Sequence, residues 1–238
     1  MLRGNAGIRA VLVSAAIAVC CAPAQRTHAI ESDPGIWTIF STTGSFPGEN
    51  GPGRWHYWFD AQARYFDPGS GANQWLVRPG VGYEIREGVK AWAGYARIRS
   101  RSRAGLVADE NRYWQQIDWR AGQVLGGQVT MRTRLEQRSI DIGDDLGVVL
   151  RFATKYVRPV SADGDTSLIV GLEPFVDLRD TDWSGDAGIG QNRTYLGLGR
   201  RISNKLTLEV GYMHQYIFRD TGEDRLNHLA MLTIKAKL

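Results

Sequence analysis

Val129-Thr130-Met131-Arg132-Thr133-Arg134-Leu135-Glu136-Gln137-Arg138 alternates without a break. Successive side chains of a β-strand point to opposite faces. Val129, Met131, Thr133 and Leu135 therefore share one face, and Thr130, Arg132, Arg134, Glu136 and Arg138 share the other. One face is greasy and the other is charged. A soluble sandwich also alternates, but here the pattern recurs along the chain to its last residue, behind an export-like leader. Together these predict an antiparallel up-and-down transmembrane β-barrel of 10–12 strands, apolar outside and polar in the lumen.

Eleven strand-like segments can be read. They are Ile36–Thr43, Arg54–Phe66, Asn73–Arg86, Val89–Arg99, Asn111–Ala121, Gln123–Arg138, Leu146–Arg158, Thr166–Leu178, Asn192–Ile202, Lys205–Phe218 and Leu226–Leu238. Tight turns are expected at Arg86-Glu87-Gly88, Ala121-Gly122 and Ser203-Asn204, with longer polar loops between them. With the C-terminus periplasmic, the outward aromatics sort into two levels. Trp55, Tyr57, Tyr83, Trp119 and Tyr156 fall at the periplasmic ends, and Tyr65, Trp75, Tyr95, Tyr113 and Tyr212 at the outer ends. Single-chain bacterial barrels have even strand numbers. The expectation is therefore ten strands in the wall, with Ile36–Thr43 outside it, as in the lumen.

The N-terminus carries Arg3 and Arg9, an apolar run from Ala10 to Cys21, and small residues at Ala22-Pro23-Ala24 and Thr27-His28-Ala29. That is the pattern of a secretory signal peptide. Residues 1–29 are assigned to it and residues 30–238 to a single barrel domain, with cleavage after Ala24 or Ala29. Both cysteines, Cys20 and Cys21, lie in the leader, so no disulfide framework is expected in the mature chain. Loss of Arg3, Arg9 and Arg26 with cleavage after Ala29 lowers the net charge from +4 to +1. Nucleic-acid binding then loses its compositional support. The chain has no apolar run of the ~20 residues that a membrane helix needs.

Several segments together resemble one family of bacterial outer-membrane β-barrels of unassigned function. These are Trp37-Thr38, Ala63-Arg64-Tyr65-Phe66, Arg78-Pro79-Gly80-Val81-Gly82-Tyr83, Gly94-Tyr95 and Arg132-x-Arg134-Leu135-Glu136-x-Arg138. The resemblance implies a barrel in the outer membrane and carries no catalytic residues or cofactor. The last strand, with Ala230, Leu232, Ile234, Ala236 and Leu238 on one face, resembles the signal read by the barrel-assembly machinery. That signal ordinarily ends in an aromatic residue, where this chain has Leu238.

The candidate functional residues are charges. Strand parity points Arg132, Arg134, Glu136, Arg138, Arg151, Lys155, Glu173, Asp177 and Glu209 into the lumen. They read either as a packed ladder of ion pairs or as a constriction that selects small anions. Arg97, Arg99, Arg101 and Arg103 form an outward stripe at the outer rim, suited to the phosphates of lipopolysaccharide. Asp180-x-Asp182-x-Ser184-Gly185-Asp186 is similar to half of a calcium loop, but its twelfth position is Gln191, so no metal is expected.

The function expected is a non-enzymatic barrel, structural or permeable to small solutes. The alternative is an outer-membrane lipid-modifying enzyme of the lipase or acyl-hydrolase type. It would be built on His214 with Ser100, Ser102, Ser139 or Asp220. A soluble periplasmic β protein is the third reading.

Overall fold

The computed structural model describes residues 30–49 and 51–237. The leader and its cleavage site lie outside the described residues. Eleven strands form one closed barrel: β1 (Ile30–Gly48), β2 (Gly51–Phe66), β3 (Asn73–Arg86), β4 (Val89–Arg101), β5 (Val107–Val124), β6 (Gly127–Ile140), β7 (Gly147–Pro159), β8 (Thr166–Asp177), β9 (Gly188–Ser203), β10 (Leu206–Ile217) and β11 (Asp224–Lys237). Each strand pairs antiparallel with its sequence neighbours, and β1 closes the wall by pairing parallel to β11.

That seam corrects the ten-strand expectation. Ile36–Thr43 is part of the wall, inside a β1 of 19 residues. An up-and-down chain of eleven strands has its first and last strands running the same way, so closure must be parallel. Parallel pairing costs little per residue relative to antiparallel, and it leaves no edge for aggregation.

The wall is staggered. One line of register partners runs Ser45, His56, Gly82, Trp92, Gln116, Arg134, Arg151, Phe175, Gln191, Ile217, Arg225, Glu31. It leaves β1 at Ser45 and returns at Glu31, fourteen residues away. With ~3.3 Å rise and ~4.8 Å between strands, that stagger tilts the strands by roughly 40° from the axis. The tilt also corrects the aromatic levels. Trp55, Tyr57, Tyr83, Trp119 and Tyr156 remain a belt at one end. Tyr95 and Tyr212, which look terminal when strands are aligned by their ends, come to about the height of Arg134.

The two ends of the barrel differ. One end has two-residue turns at 87–88, 125–126 and 204–205 and a longer link at 160–165. The other has connections of five to ten residues, at 67–72, 102–106, 141–146, 178–187 and 218–223. The expected turn at Ala121-Gly122 is instead a bulge, with Gly122 at φ 137°. β5 continues to Val124, and Leu125 (φ 47°) and Gly126 (φ 75°) make the turn. Positive φ at both central residues is what a tight hairpin needs.

The faces are inverted relative to a soluble domain. Ile36, Phe40, Phe59, Val77, Val81, Ile117, Leu196, Leu198, Val210 and Leu232 are exposed on the outside of the wall. Asp60, Arg64, Arg78, Gln116, Arg134, Glu136, Arg151 and Arg193 are buried inside it.

Candidate functional site

The lumen divides into a packed layer and an open cup. Glu136 is the hub of the layer and is 1% exposed. It accepts from Arg151 at 2.5 Å, from Arg138 at 2.5 and 3.0 Å, and from Arg112 at 3.4 Å. Arg151 also donates to Glu173 at 2.7 and 3.0 Å, and Arg132 donates to the same oxygen. Arg112 holds Glu110 at 2.6 and 2.8 Å, and Arg78 holds Asp60 at 2.5 and 3.2 Å. Several kcal/mol of desolvation per ion would otherwise oppose placing these charges here.

Carboxylates do not account for all of the cations. Arg64, Arg134 and Arg193 lie against rings. The Arg134 guanidinium is 4.5 Å from the Trp114 ring and 5.1 Å from the Trp58 ring. Its Nε donates to Gln116 at 2.6 Å, its Nη1 lies 3.6 Å from Glu136, and the residue is 0% exposed. Arg64 stacks on Trp37 at 3.8 Å, and Arg193 sits between Trp37 (4.9 Å) and Phe175 (4.6 Å). A desolvated cation over an indole gains ~2 kcal/mol or more. Glycines make room for the rings: a Cβ on Gly94 would stand 2.3 Å from Trp114, and one on Gly82 would stand 2.4 Å from Trp92.

The loop end is tied down above this layer. The 102–106 connection reaches over the mouth. Its Arg103 pairs with Asp33, with Glu31 at 2.5 Å and with Asp67 at 3.4 Å. The Asp33 carboxylate, and then Glu31, raise the Arg103 guanidinium above its usual pKa. Asp182 accepts the backbone N–H of Asp144 at 3.0 Å, and Trp183 donates to the Asp145 carbonyl at 2.9 Å. The calcium-like loop thus spends Asp182 on fixing its neighbour.

Below the layer, at the turn end, lies a cavity of about 570 Å³. Lys155 and Lys235 share Glu209 at 3.4 and 2.5 Å, and their side chains are 37% and 39% exposed. Arg78, Arg193, Glu173 and Asp60 form its inner end, with Ile39, Met213, Met231 and Trp58 along the wall. The lysines are solvated while the inner arginines are not, so the cup opens toward the turns. The 160–165 link at this end is set by Asp163. The Ser161 hydroxyl and then the Asp165 N–H depress its carboxyl to about 2.

The nine lumen candidates therefore separate. Arg132, Arg134, Glu136, Arg138, Arg151 and Glu173 meet in the packed layer. Lys155 and Glu209 meet in the cup, and Asp177 stands apart near the loop end, against Gly190. Of the arginine stripe, Arg97 and Arg99 stay outside and pair with Asp109 at 3.0 and 3.5 Å, Arg101 is exposed, and Arg103 turns over the mouth. Asp60, Arg64, Arg78, Glu110, Arg112 and Arg193 were missed as members of the layer, although the same parity applied to β2, β3, β5 and β9 points them inward. No sequence signal names the rings that hold Arg134 and Arg193.

Of the hydrolase candidates, Ser100 and His214 are held apart. His214 faces outward, with its ring 6.0 Å from that of His228. Ser100, on β4, lies far round the wall from β10, and its hydroxyl accepts from Gln74 at 2.8 Å.

A profile described as "Protein of unknown function (DUF2490)" matches residues 34–227. An uncharacterised protein of Methylorubrum extorquens is 30% identical over 227 residues, covering 94% of this chain and 96% of its own. Among solved structures, the outer-membrane expressed OmpT of Vibrio cholerae overlaps at a TM-score of 0.39 and 14% identity. The overlap covers 68% of this chain and 55% of that one, and it carries no functional inference.

Proposed function

We propose that this chain, which belongs to the DUF2490 family of proteins of unknown function, is an outer-membrane barrel sealed to solutes and serving as a scaffold rather than a pore or an enzyme. The observation that carries the reading is the packed layer across the lumen, with Arg134 at 0% and Glu136 at 1% exposure. A conducting channel keeps its charged ring wet, whereas these charges are consumed by one another and by indole rings.

The membrane address rests on the inverted faces. Apolar side chains cover the outside, and the belt of Trp55, Tyr57, Tyr83, Trp119 and Tyr156 marks one boundary. A wall tilted by roughly 40° matches what membrane barrels adopt. Export by the segment 1–29 and insertion through the last strand complete the reading. Against the hydrolase alternative stands the separation of Ser100 and His214.

Two measurements test the proposal. Purified protein in a planar bilayer should give no single-channel steps; stable, charge-selective conductance overturns the seal. Migration on gels should shift on boiling, as for a folded membrane barrel; recovery as a soluble protein overturns the address.

A further inference from the structure

We propose that the cup at the turn end binds an amphipathic monoanion with one medium-length alkyl chain. The head would lie at Lys155 and Lys235, and the chain against Ile39, Met213 and Met231. The proposal deepens the sealed-barrel reading and rests on its blocked lumen, but not on its membrane address.

Two observations converge. First, the cup is blind. Arg78–Asp60, Arg132–Glu173 and the stacked Arg193 close its inner end, so a ligand enters and leaves only past the lysines. Its volume of about 570 Å³ falls within the ~300–1,000 Å³ of small-molecule sites.

Second, its chemistry is divided. Lys155 and Lys235 share Glu209, and with Asp118, Arg193 and the Arg78–Asp60 and Arg132–Glu173 pairs the side chains lining the cup carry five positive and four negative charges, one net positive charge. Deeper in, Ile39, Met213 and Met231 line one side on β1, β10 and β11. The sealed layer, for its part, adds Leu76, Ile98 and Leu229 to its ion pairs and rings. Methionine is unbranched and polarizable and adapts to flexible chains. Ile39, Met213 and Met231 pack against Trp37, Leu229 and Tyr195 as one apolar cluster, and the cup runs along one side of it.

A neutral hydrocarbon would leave the cup's net positive charge unanswered, and a small inorganic anion would leave the methionine patch wet. A monoanion with a single chain answers both.

The test uses the full barrel in phospholipid vesicles and dodecanoate carrying a diazirine at its chain end. Irradiation should mark Ile39, Met213 or Met231, and unlabelled dodecanoate should compete. The uncharged dodecanol analogue should compete about tenfold less well, the factor expected for one hydrogen bond to a charged group. The triple variant Lys155→Gln/Glu209→Gln/Lys235→Gln, which leaves no orphaned charge, should erase that difference. Gly171→Leu should block both probes. A Cβ at Gly171 meets only the Tyr195 Cβ at 3.5 Å and the Thr154 carbonyl oxygen at 3.9 Å, so the wall accepts it.

Adducts confined to outward residues such as Val210 and Leu232 would overturn the proposal. So would equal competition by dodecanoate and dodecanol in the unaltered protein, which remains decisive even if the triple variant does not fold. Loss of heat-modifiable migration together with lumenal adducts would break the membrane address alone.

Discussion

The loop half and the turn half of this lumen are built from the same residue types and behave differently. Arg134, Arg151 and Glu136 in the sealed half are nearly free of solvent, while Lys155 and Lys235 at the open end keep more than a third of their side chains in water. The difference lies in what surrounds the charge. On the β2–β5 side of the lumen Trp58 packs edge to face against Trp114 at 5.5 Å, where Arg134 lies, and against Trp92 at 5.8 Å, toward the turn end. Across from them, Phe175 lies 4.2 Å under Arg151. Glu209 and the two lysines stand on β7, β10 and β11, away from that tryptophan stack. A charge enclosed by rings must be matched on every side, whereas a charge at a wet mouth need not be. The first arrangement builds a wall and the second leaves chemistry available.

The largest test of this contrast is a matched pair of carboxylate deletions. Glu136→Gln leaves Arg112, Arg138 and Arg151 without their shared acceptor in a dry layer. Breaking one partner of a buried pair costs ~3–5 kcal/mol. Glu209 is itself buried, but its two lysine partners are more than a third exposed and can hydrate, so Glu209→Gln should cost less, about 1–2 kcal/mol. Urea unfolding in vesicles compares them, and equal losses would break the contrast.

A smaller effect is expected at two glycines. Gly94→Ala drives its methyl into Trp114 at 2.3 Å and the Pro79 carbonyl oxygen at 2.4 Å. Overpacking of that kind costs ~1–3 kcal/mol. Gly171→Ala makes only ordinary contacts, with the Tyr195 Cβ at 3.5 Å and the Thr154 carbonyl oxygen at 3.9 Å, and losing a strand glycine should stabilise by ~0.5–1 kcal/mol. The two substitutions should therefore move the urea midpoint in opposite directions. A loss at Gly171 would mean that the cup is filled by packing rather than open.

Alternation made most of the wall legible, because a period of two fixes both the strand and the face of every residue in it. Arg132, Glu136 and Glu209 were pointed inward by that rule alone. Closure was not legible. The stretch Ile36–Thr43 reads as a strand, but whether it joins β11 depends on a hydrogen-bonded seam between residues some two hundred positions apart. The Ala121-Gly122 reading failed because a glycine with positive φ serves a bulge as readily as a turn. The sealed layer was half legible. Parity supplies its charges, but the ring that holds Arg134 comes from Trp114 on the neighbouring strand and Trp58 across the lumen, a pairing that the stagger sets and the local pattern does not contain.

The smallest effect separates the inside of the loop half from its outside. Arg97 and Arg99 have side chains 44% and 65% exposed, and both lean on Asp109. They border a groove of about 450 Å³ on the outer wall, floored by Thr38, Ala61 and Ala63 and walled by Phe40, Trp75 and Val77. We read them as contacts to lipopolysaccharide phosphates, with an acyl chain in the groove. Exposed pairs are worth only ~0.2–1 kcal/mol each, so Arg97→Glu/Arg99→Glu should lower the lipopolysaccharide retained per purified barrel by roughly two- to fivefold. Adding Asp109→Lys restores opposite charge within the wall without restoring cations at positions 97 and 99. If the triple variant regains stability but not lipid, the arginines serve the lipid. If it regains both, or the double variant never loses lipid, Arg97 and Arg99 serve only Asp109 and the outer face of this half carries no lipid site.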